Sequence, residues 1–176
     1  KAVPLHPAQK AAIFRDYVKS DYKTPSDELW RKHDYGVGIV TGPVAAGPID
    51  LDLDCMEAVF FAQRFLPATA AVFGRASKRR SHYLYRTDVS EFEKRSFIDP
   101  ADNSTIIEAR GDGGHQTCAP GSVHEGTGEL IEWDGPVFPD VPTITAESLG
   151  RAVRKVAIAT LIARHVWTAG YHNEPA

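Results

Sequence analysis

The sequence is poor in cysteine and lacks any long hydrophobic run. Its two cysteines, Cys55 and Cys118, stand far apart with no CxxC pair and no Cys/His ladder, so neither a disulfide framework nor a zinc site is indicated. No stretch approaches the roughly 18 apolar residues of a membrane span, and residues 1–4 show no secretory-signal pattern. We therefore expect a cytoplasmic protein that carries no zinc and does not enter a membrane.

A strong excess of charge of either sign is also absent. Among the 176 residues, 43% are hydrophobic and 24% are charged, and the formal net charge is -3. This length and balance are those of one globular domain. A slightly acidic chain is not expected to coat nucleic acid with its whole surface, although a local basic groove is compatible with this net charge.

Hydrophobic periodicity predicts an α+β domain, with strands in the middle and helices at both ends. Apolar pairs at i, i+4 predict a helix over residues 7–22, and a capping pattern predicts a second short helix around Leu29 and Trp30. A further helix is expected over residues 56–66, and a last one begins at Thr145. Short runs bounded by glycine, proline or charge predict strands at 38–41, 48–54, 69–73, 81–85, 104–108, 114–118 and 129–133.

The most informative segment is the acidic strand at residues 48–54. Because side chains alternate along a strand, Asp50, Asp52 and Asp54 share one face. Like charges so placed repel one another, and hard oxygen ligands of this kind suit Mg²⁺ or Mn²⁺. A solvated acidic edge strand is the alternative interpretation. Aspartate is depleted in strands, which favours metal binding.

A basic segment follows at residues 73–86. It concentrates five cationic side chains and two tyrosines in an otherwise slightly acidic chain, a composition that suits contacts with phosphate. Ser81 and His82 enter the next predicted strand, where a hydroxyl and an imidazole can hydrogen-bond phosphate oxygens. A basic hairpin with a surface histidine is the alternative. The cations are Arg75, Lys78, Arg79, Arg80 and Arg86.

A third segment, residues 106–124, carries a carboxylate, several glycines and two histidines. Glu108 ends an apolar strand, as Asp54 does, and could complete a two-metal carboxylate set. The glycines would let the backbone approach a bound phosphate closely. His115 and His124 could line the same pocket, although a loop histidine is more often structural.

Taken in order, these elements resemble the three-motif layout of the archaeo-eukaryotic primase superfamily: an acidic pair, a Ser-His element and a hydrophobic-acidic element. Here the three are Asp52-Leu53-Asp54, Ser81-His82 and Ile107-Glu108. The flanking sequence at 65–82 and 111–133 is similar to the bifunctional primase-polymerase (Prim-Pol) domain of plasmid and phage replication proteins. Order and spacing both match over roughly residues 37–133, which is more specific than any one motif.

The resemblance implies an archaeo-eukaryotic primase fold: an RNA-recognition-motif-like catalytic sheet packed with a second small α/β unit and flanked by N- and C-terminal helices. Residues 1–144 would form the catalytic domain, and 145–176 a C-terminal helix that starts the helical region of a longer protein. The implied activity is nucleotidyl transfer, as primer synthesis and primer extension, on a single-stranded DNA template. The substrates would be dNTPs or NTPs, with a helicase domain in the same polypeptide.

The resemblance also implies roles for individual residues. Asp52, Asp54 and Glu108 would hold two divalent ions, Mg²⁺ or Mn²⁺, and His82 with Ser81 would grip the nucleotide phosphates. The family often has aspartate where Glu108 stands, and Asp50 leaves two registers open, Asp50 with Asp52 or Asp52 with Asp54. From the residues themselves, further nucleotide contacts are expected from Arg79 and His115, and DNA contacts from Arg75, Lys78 and Arg80.

Two other functions fit part of this pattern. A metal-dependent nuclease shares clustered carboxylates and two-metal chemistry. A replication-initiator module could bind single strands through the basic, tyrosine-containing segment without catalysis, but it would leave the acidic strand unexplained.

Overall fold

The computed structural model describes residues 1–19, 23–32, 34–42, 47–89, 92–112, 114–137 and 139–167. The strands are β1 (Ala2–Leu5), β2 (Gly36–Val40), β3 (Ile49–Leu53), β4 (Val72–Arg75), β5 (Lys78–Thr87), β6 (Phe92–Ile98), β7 (Thr105–Gly111), β8 (Gln116–Cys118), β9 (Ile131–Trp133) and β10 (Thr143–Ile144). The α-helices are α1 (Asp27–Lys32), α2 (Met56–Phe65) and α3 (Ala146–Ile162). A 3-10 helix spans Arg15–Val18, and a π-helical turn at Ala163–Trp167 follows α3. The mixed α/β composition predicted from the sequence is confirmed.

The strands form two sheets, and the larger one holds β3 at its centre. Its order is β6-β7-β3-β5-β4-β9, and β10 adds parallel to the far end of β5. β3 runs antiparallel to both of its neighbours, β5 and β7. A second sheet has three antiparallel strands in the order β1-β2-β8. The acidic strand is therefore an inner strand, and the alternative of a solvated edge strand is wrong.

The two faces of the large sheet have different partners. Ile49, Leu51 and Leu53 of β3 join the main core beneath α2 and α3, to which α3 contributes Leu149 and Val153. On the opposite face, a smaller apolar cluster joins the large sheet to the three-stranded sheet through side chains of β4, β5, β2 and β8, among them Phe73, Leu84, Ile39 and Cys118. Asp50 and Asp52 project toward this second face, because they alternate with the core residues of β3.

The α-helix predicted over residues 7–22 is wrong for the part that the structure describes, where only Arg15–Val18 are helical, as a 3-10 turn; residues 20–22 lie outside the described part. Instead, β1 pairs with β2, and the chain turns back so that the Ile13 amide donates to the Pro4 carbonyl and Ala12 bridges Leu5. Tyr17 packs on the cluster formed by Val3, Leu5 and Val40. Pairing with β1 satisfies backbone groups that a helix would have satisfied internally, so tertiary contact overrides the i, i+4 pattern.

Other elements follow the sequence prediction more closely. α1 and α2 form where expected, and α3 begins after Thr145, whose side chain accepts a hydrogen bond from the Ser148 amide. Three strands were not predicted: β1, the charged edge strand β6 and the two-residue β10. Charge is common on edge strands and hides the alternation by which a strand is recognised. Among the described residues, no helix is both long and apolar enough to cross a membrane.

Candidate active site

A row of three polar side chains crosses the centre of the large sheet. Asp52 of β3 lies directly opposite His82 of β5 on one side and Glu108 of β7 on the other. Residues directly opposite in antiparallel strands project from the same face. Strand register thus brings together three side chains that are far apart in sequence.

Asp50 lies one step back along the same face of β3, where Arg110 of β7 is directly opposite. Its side chain is fully buried, and both carboxylate oxygens face Nδ1 of His82, at 3.1 and 3.2 Å. Burial raises the pKa of the Asp50 carboxyl, but the charge and hydrogen bond of His82, with the charge of Arg110, bring it below its ordinary value. Asp50 is therefore an ionised partner that fixes the orientation of His82.

His82 is held on a second side by Phe73, whose ring is stacked on the imidazole with centroids 4.6 Å apart. Its other nitrogen, Nε2, lies 3.6 Å from Oδ1 of Asp52. Burial lowers the pKa of His82, yet the charges of Asp50 and Asp52 raise it above the usual value for histidine. The arrangement favours an imidazolium beside Asp52.

Arg110 bridges the two carboxylates of the row. Its Nη2 lies 2.8 Å from Oδ2 of Asp52 and also pairs with Oε2 of Glu108, to which Nε donates at 2.6 Å. Lys94 of β6 approaches the other Glu108 oxygen at 2.9 Å. Burial raises the pKa of the Glu108 carboxyl, but Lys94 and Arg110 bring it below its ordinary value. The protein's own cations thus neutralise the acidic row, so like-charge repulsion by itself does not require a metal ion there.

A cavity of about 140 Å³ opens between the two sheets at Asp52 and His82, and Glu108 is not among the described residues that line it. Asp54, just past the end of β3, reaches it with Lys78 at 3.8 Å, and burial together with the charge of Asp52 raises the pKa of Asp54. The wall from the large sheet is strongly charged, whereas β8 contributes neutral side chains. The lining residues are Lys10, Asp52, Asp54, Gly74, Arg75, Lys78, Ser81, His82, Arg110, Gln116, Thr117, Cys118, His124 and Ile131.

The basic segment forms the β4–β5 hairpin, and its cations point in different directions. Arg75 and Lys78 line the cavity, whereas Arg79 and Arg80 both donate to Asp134, at 2.5 and 2.6 Å. A register irregularity in the hairpin and a left-handed backbone at Arg80 (φ 56°) account for the divergence, because a bulge re-aims the side chains that follow it.

Two residues predicted to contact the nucleotide have different surroundings. Ser81 is fully buried and lines the cavity, and its hydroxyl has no hydrogen-bond partner among the described residues. His115 is not among the described residues that line the cavity; its Nδ1 lies 2.9 Å from Asp112, and its carbonyl accepts from the Thr41 amide. His124, by contrast, does line the cavity.

Comparison of the sequence with protein-family models identifies the family of this chain. The model described as bifunctional DNA primase/polymerase, N-terminal, matches residues 1–146. The chain is a member of the Prim-Pol family. No curated protein shows a significant sequence match to it. Membership implies a nucleotidyltransferase-type enzyme with DNA primase/polymerase activity in general, acting on DNA and nucleotides.

Prim-Pol enzymes generally use divalent metal ions. Across the described part of the chain, no three His, Cys, Asp or Glu side chains form a group that could hold a metal ion. Two carboxylates nevertheless fit one: the Arg110 nitrogen that contacts both Asp52 and Glu108 shows that their oxygens already converge on a single cationic centre. Hard carboxylate oxygens are the ligands that Mg²⁺ and Mn²⁺ prefer.

Sequence reasoning missed Arg110, Thr117 and Lys10 in this Prim-Pol site. The signal for Arg110 was available, because Glu108 and Arg110 are two apart in a strand and must share a face. Thr117 lies on β8 of the small sheet, and Lys10 lies in the segment after β1, where its carbonyl accepts a hydrogen bond from Gln116. No local sequence pattern predicts that either residue lines the cavity beside Asp52.

Proposed function

We propose that this Prim-Pol domain carries out DNA-templated nucleotidyl transfer, as primer synthesis and primer extension, in plasmid or phage replication. The observation that carries the proposal is the row of His82, Asp52 and Glu108, in register on three strands of a chain that belongs to this family. The cavity beside the row presents carboxylates and cations together. A triphosphate that is bound through metal ions requires both kinds of group.

The strand order supports an archaeo-eukaryotic primase arrangement. The strands β3, β4, β5 and β7, with α2 after the first, lie in the spatial order β7-β3-β5-β4, that is fourth, first, third, second. This order is that of the split β-α-β sheet on which RNA-recognition-motif folds are built. The catalytic row then lies on the inner strands, and the helices cover the opposite face.

The geometry favours Asp52 with Asp54 over Asp50 with Asp52 as the metal-binding pair. Both oxygens of Asp50 face His82 and its side chain is fully buried, whereas Asp54 is about a third exposed and lines the cavity. In this structure these three carboxylates do not form one metal-holding group among the described residues. We propose that Asp52, Asp54 and Glu108 share the divalent ions between them and that Asp50 orients His82. Such ions, when bound, activate the attacking 3′-hydroxyl and neutralise the leaving pyrophosphate.

The cationic wall supplies the remaining contacts. His82, whose pKa is raised by the charges of Asp50 and Asp52, would in its protonated form donate a hydrogen bond from Nε2 to a phosphate oxygen. Arg75 and Lys78 also line the cavity and would neutralise further phosphate charge. Ser81 would use its unpaired hydroxyl in the same way. Arg79 and Arg80 are directed to Asp134, so their use by DNA would require contact at the outer side of the hairpin.

The proposed partners follow from the reaction. They are a single-stranded DNA template and an incoming dNTP or NTP. A helicase domain in the same polypeptide and a cytoplasmic location are proposed separately, because the reaction does not require them.

The decisive experiment compares Asp52→Asn with Glu147→Gln, an exposed carboxylate of α3 that pairs with Arg151. Each protein is incubated with a labelled primer on a template, with Mg²⁺ or Mn²⁺ and with nucleoside triphosphates. Loss of a metal ligand that provides several kcal/mol should lower extension by at least about a hundredfold, with the fold intact by circular dichroism. Glu147→Gln should extend normally.

The same assay separates the rival activities. A nuclease would shorten the labelled strand with metal alone, and a binding module would leave its length unchanged. Undiminished extension by Asp52→Asn would refute the assignment of the row.

A further inference from the structure

Arg110 occupies the position between the carboxylates where a metal ion would be held. The one guanidinium contacts Asp52 and Glu108 directly and lies 3.8 Å from Asp50. Its side chain is about one-fifth exposed and lines the cavity. A long, flexible side chain with one end at the carboxylates and open space beside it can change direction without movement of the strand.

A divalent ion and this guanidinium would compete for the same carboxylate oxygens. Oδ2 of Asp52 and Oε2 of Glu108 accept hydrogen bonds from Arg110, and those lone pairs are then directed at the guanidinium rather than at an ion. Two cations a few ångströms apart also repel each other strongly in a partly buried site. An ion that binds Asp52 and Glu108 must therefore displace the guanidinium, at least in part.

A displaced guanidinium needs a new anion, because a partly buried charge without a partner is costly. The remaining carboxylates near it are engaged: Asp50 with His82, and Asp54 with Lys78. The space next to Arg110 is the cavity that also receives Lys78, Arg75 and His82. Phosphate, like carboxylate, is an anion that a guanidinium binds in bidentate geometry.

We propose that Arg110 is an internal cation that holds Asp52 and Glu108 in the metal-free protein and turns to the nucleotide phosphates when a divalent ion takes the two carboxylates. Metal and nucleotide then bind cooperatively. The ion displaces the guanidinium from the carboxylates, and the triphosphate gives the displaced guanidinium a new anionic partner. The inference rests on the proposed function, because it takes a nucleoside triphosphate as the ligand. Arg110 is a positioning residue for the metal-binding carboxylates before it becomes a nucleotide contact.

The test measures Mn²⁺ affinity by calorimetry and by electron paramagnetic resonance, with and without a non-hydrolysable nucleoside triphosphate, and with no template or turnover. In the wild-type protein the nucleotide should tighten Mn²⁺ binding by about tenfold or more, within the usual range of coupling between sites. Arg110→Gln should bind Mn²⁺ about tenfold more tightly than wild type without nucleotide, and the nucleotide should then add several-fold less. The control is Arg151→Gln, which makes the same change in charge at an exposed pair on α3 and should match wild type.

Arg110→Lys provides a second variant if the glutamine protein does not fold. It keeps the charge but loses the bidentate fork, so its Mn²⁺ affinity should fall between those of wild type and Arg110→Gln. Folded Arg110 variants with wild-type Mn²⁺ affinity and wild-type enhancement by nucleotide would overturn the proposal.

Asp52→Asn distinguishes failure of this inference from failure of the proposed function. If wild type binds Mn²⁺ and Asp52→Asn does not, while Arg110→Gln behaves as wild type, only the role of Arg110 is wrong. If neither wild type nor Arg110→Gln binds Mn²⁺ in the presence of nucleotide, the metal site and the role of Arg110 both fail.

Discussion

The two faces of strand β3 differ completely in chemistry although they alternate residue by residue. Ile49, Leu51 and Leu53 lie beneath α2 and α3 in a core that excludes water. Asp50 and Asp52, between them in sequence, lie in a network of charged groups at the cavity. The same backbone therefore serves stability on one side and chemistry on the other. Substitutions one residue apart should consequently have effects of different kinds.

The largest expected effect on stability is on the helix side. Leu51 is fully buried at the centre of the sheet. Leu51→Ala removes apolar contacts and leaves a cavity, which should lower the free energy of unfolding by about 2–5 kcal/mol. Urea denaturation followed by circular dichroism measures it. A loss below about 1 kcal/mol would mean that the main core does not depend on β3 as the packing indicates.

A smaller effect is expected one residue earlier, at Asp50. Asp50→Asn removes the carboxylate that raises the pKa of His82, so the histidine should lose its proton more readily and leave no unpaired charge behind. We therefore expect the free energy of unfolding to fall by about 1.5–3 kcal/mol, the range for a hydrogen bond to a charged group.

Denaturation of Asp50→Asn beside Leu51→Ala checks this difference, and an NMR titration should show a lower pKa for His82. A cost at Asp50 equal to that at Leu51 would break the comparison, since the charged face would then stabilise the fold as much as the core does.

The smallest expected effect on stability comes from a charged residue, Asp99, near the C-terminal end of α3. Asp99 accepts a hydrogen bond from the Ala101 amide and pairs with His165 and Arg164 beyond α3, and these contacts lower its pKa. A carboxylate with a lowered pKa stabilises the fold above its unfolded pKa, near 4, and this stability is lost as the pH falls through the folded value.

Asp99→Asn should therefore be less stable than wild type at neutral pH, and the difference should shrink on acidification below about pH 4. Thermal unfolding across pH 2–7 measures it. A difference that stays constant across this range would assign the effect of Asp99 to packing rather than to charge.

Alternation along β3 was predictable from the sequence because it depends on local geometry alone. It correctly separated Asp50 and Asp52 from Ile49, Leu51 and Leu53. Asp54 was predicted to continue the same face; the strand ends at Leu53, yet Asp54 still reaches the cavity.

The residues that lie opposite Asp52 on the neighbouring strands could not be predicted from local sequence patterns. Which residue of β5 or β7 lies opposite Asp52 depends on strand register over separations of 30 and 56 residues, and a slip of one residue would face His82 away. Resemblance to a family grouped His82 and Glu108 with Asp52, but it did not indicate Arg110. The N-terminal helix was wrong for a related reason, since pairing with β1 outweighs a weak local preference.

The clamp of Arg79 and Arg80 on Asp134 changes how positive the β4–β5 hairpin is to an approaching polyanion. A cation that already has a carboxylate partner displaces fewer of the counterions condensed on a nucleic acid strand, because its contact with a phosphate must first break an existing pair. A count of arginines along the hairpin therefore overstates the number of ions released on association. Arg75 and Lys78 at the cavity also have carboxylate partners, Glu129 at 3.4 Å and Asp54 at 3.8 Å, so the hairpin presents less free positive charge to a polyanion than its sequence indicates.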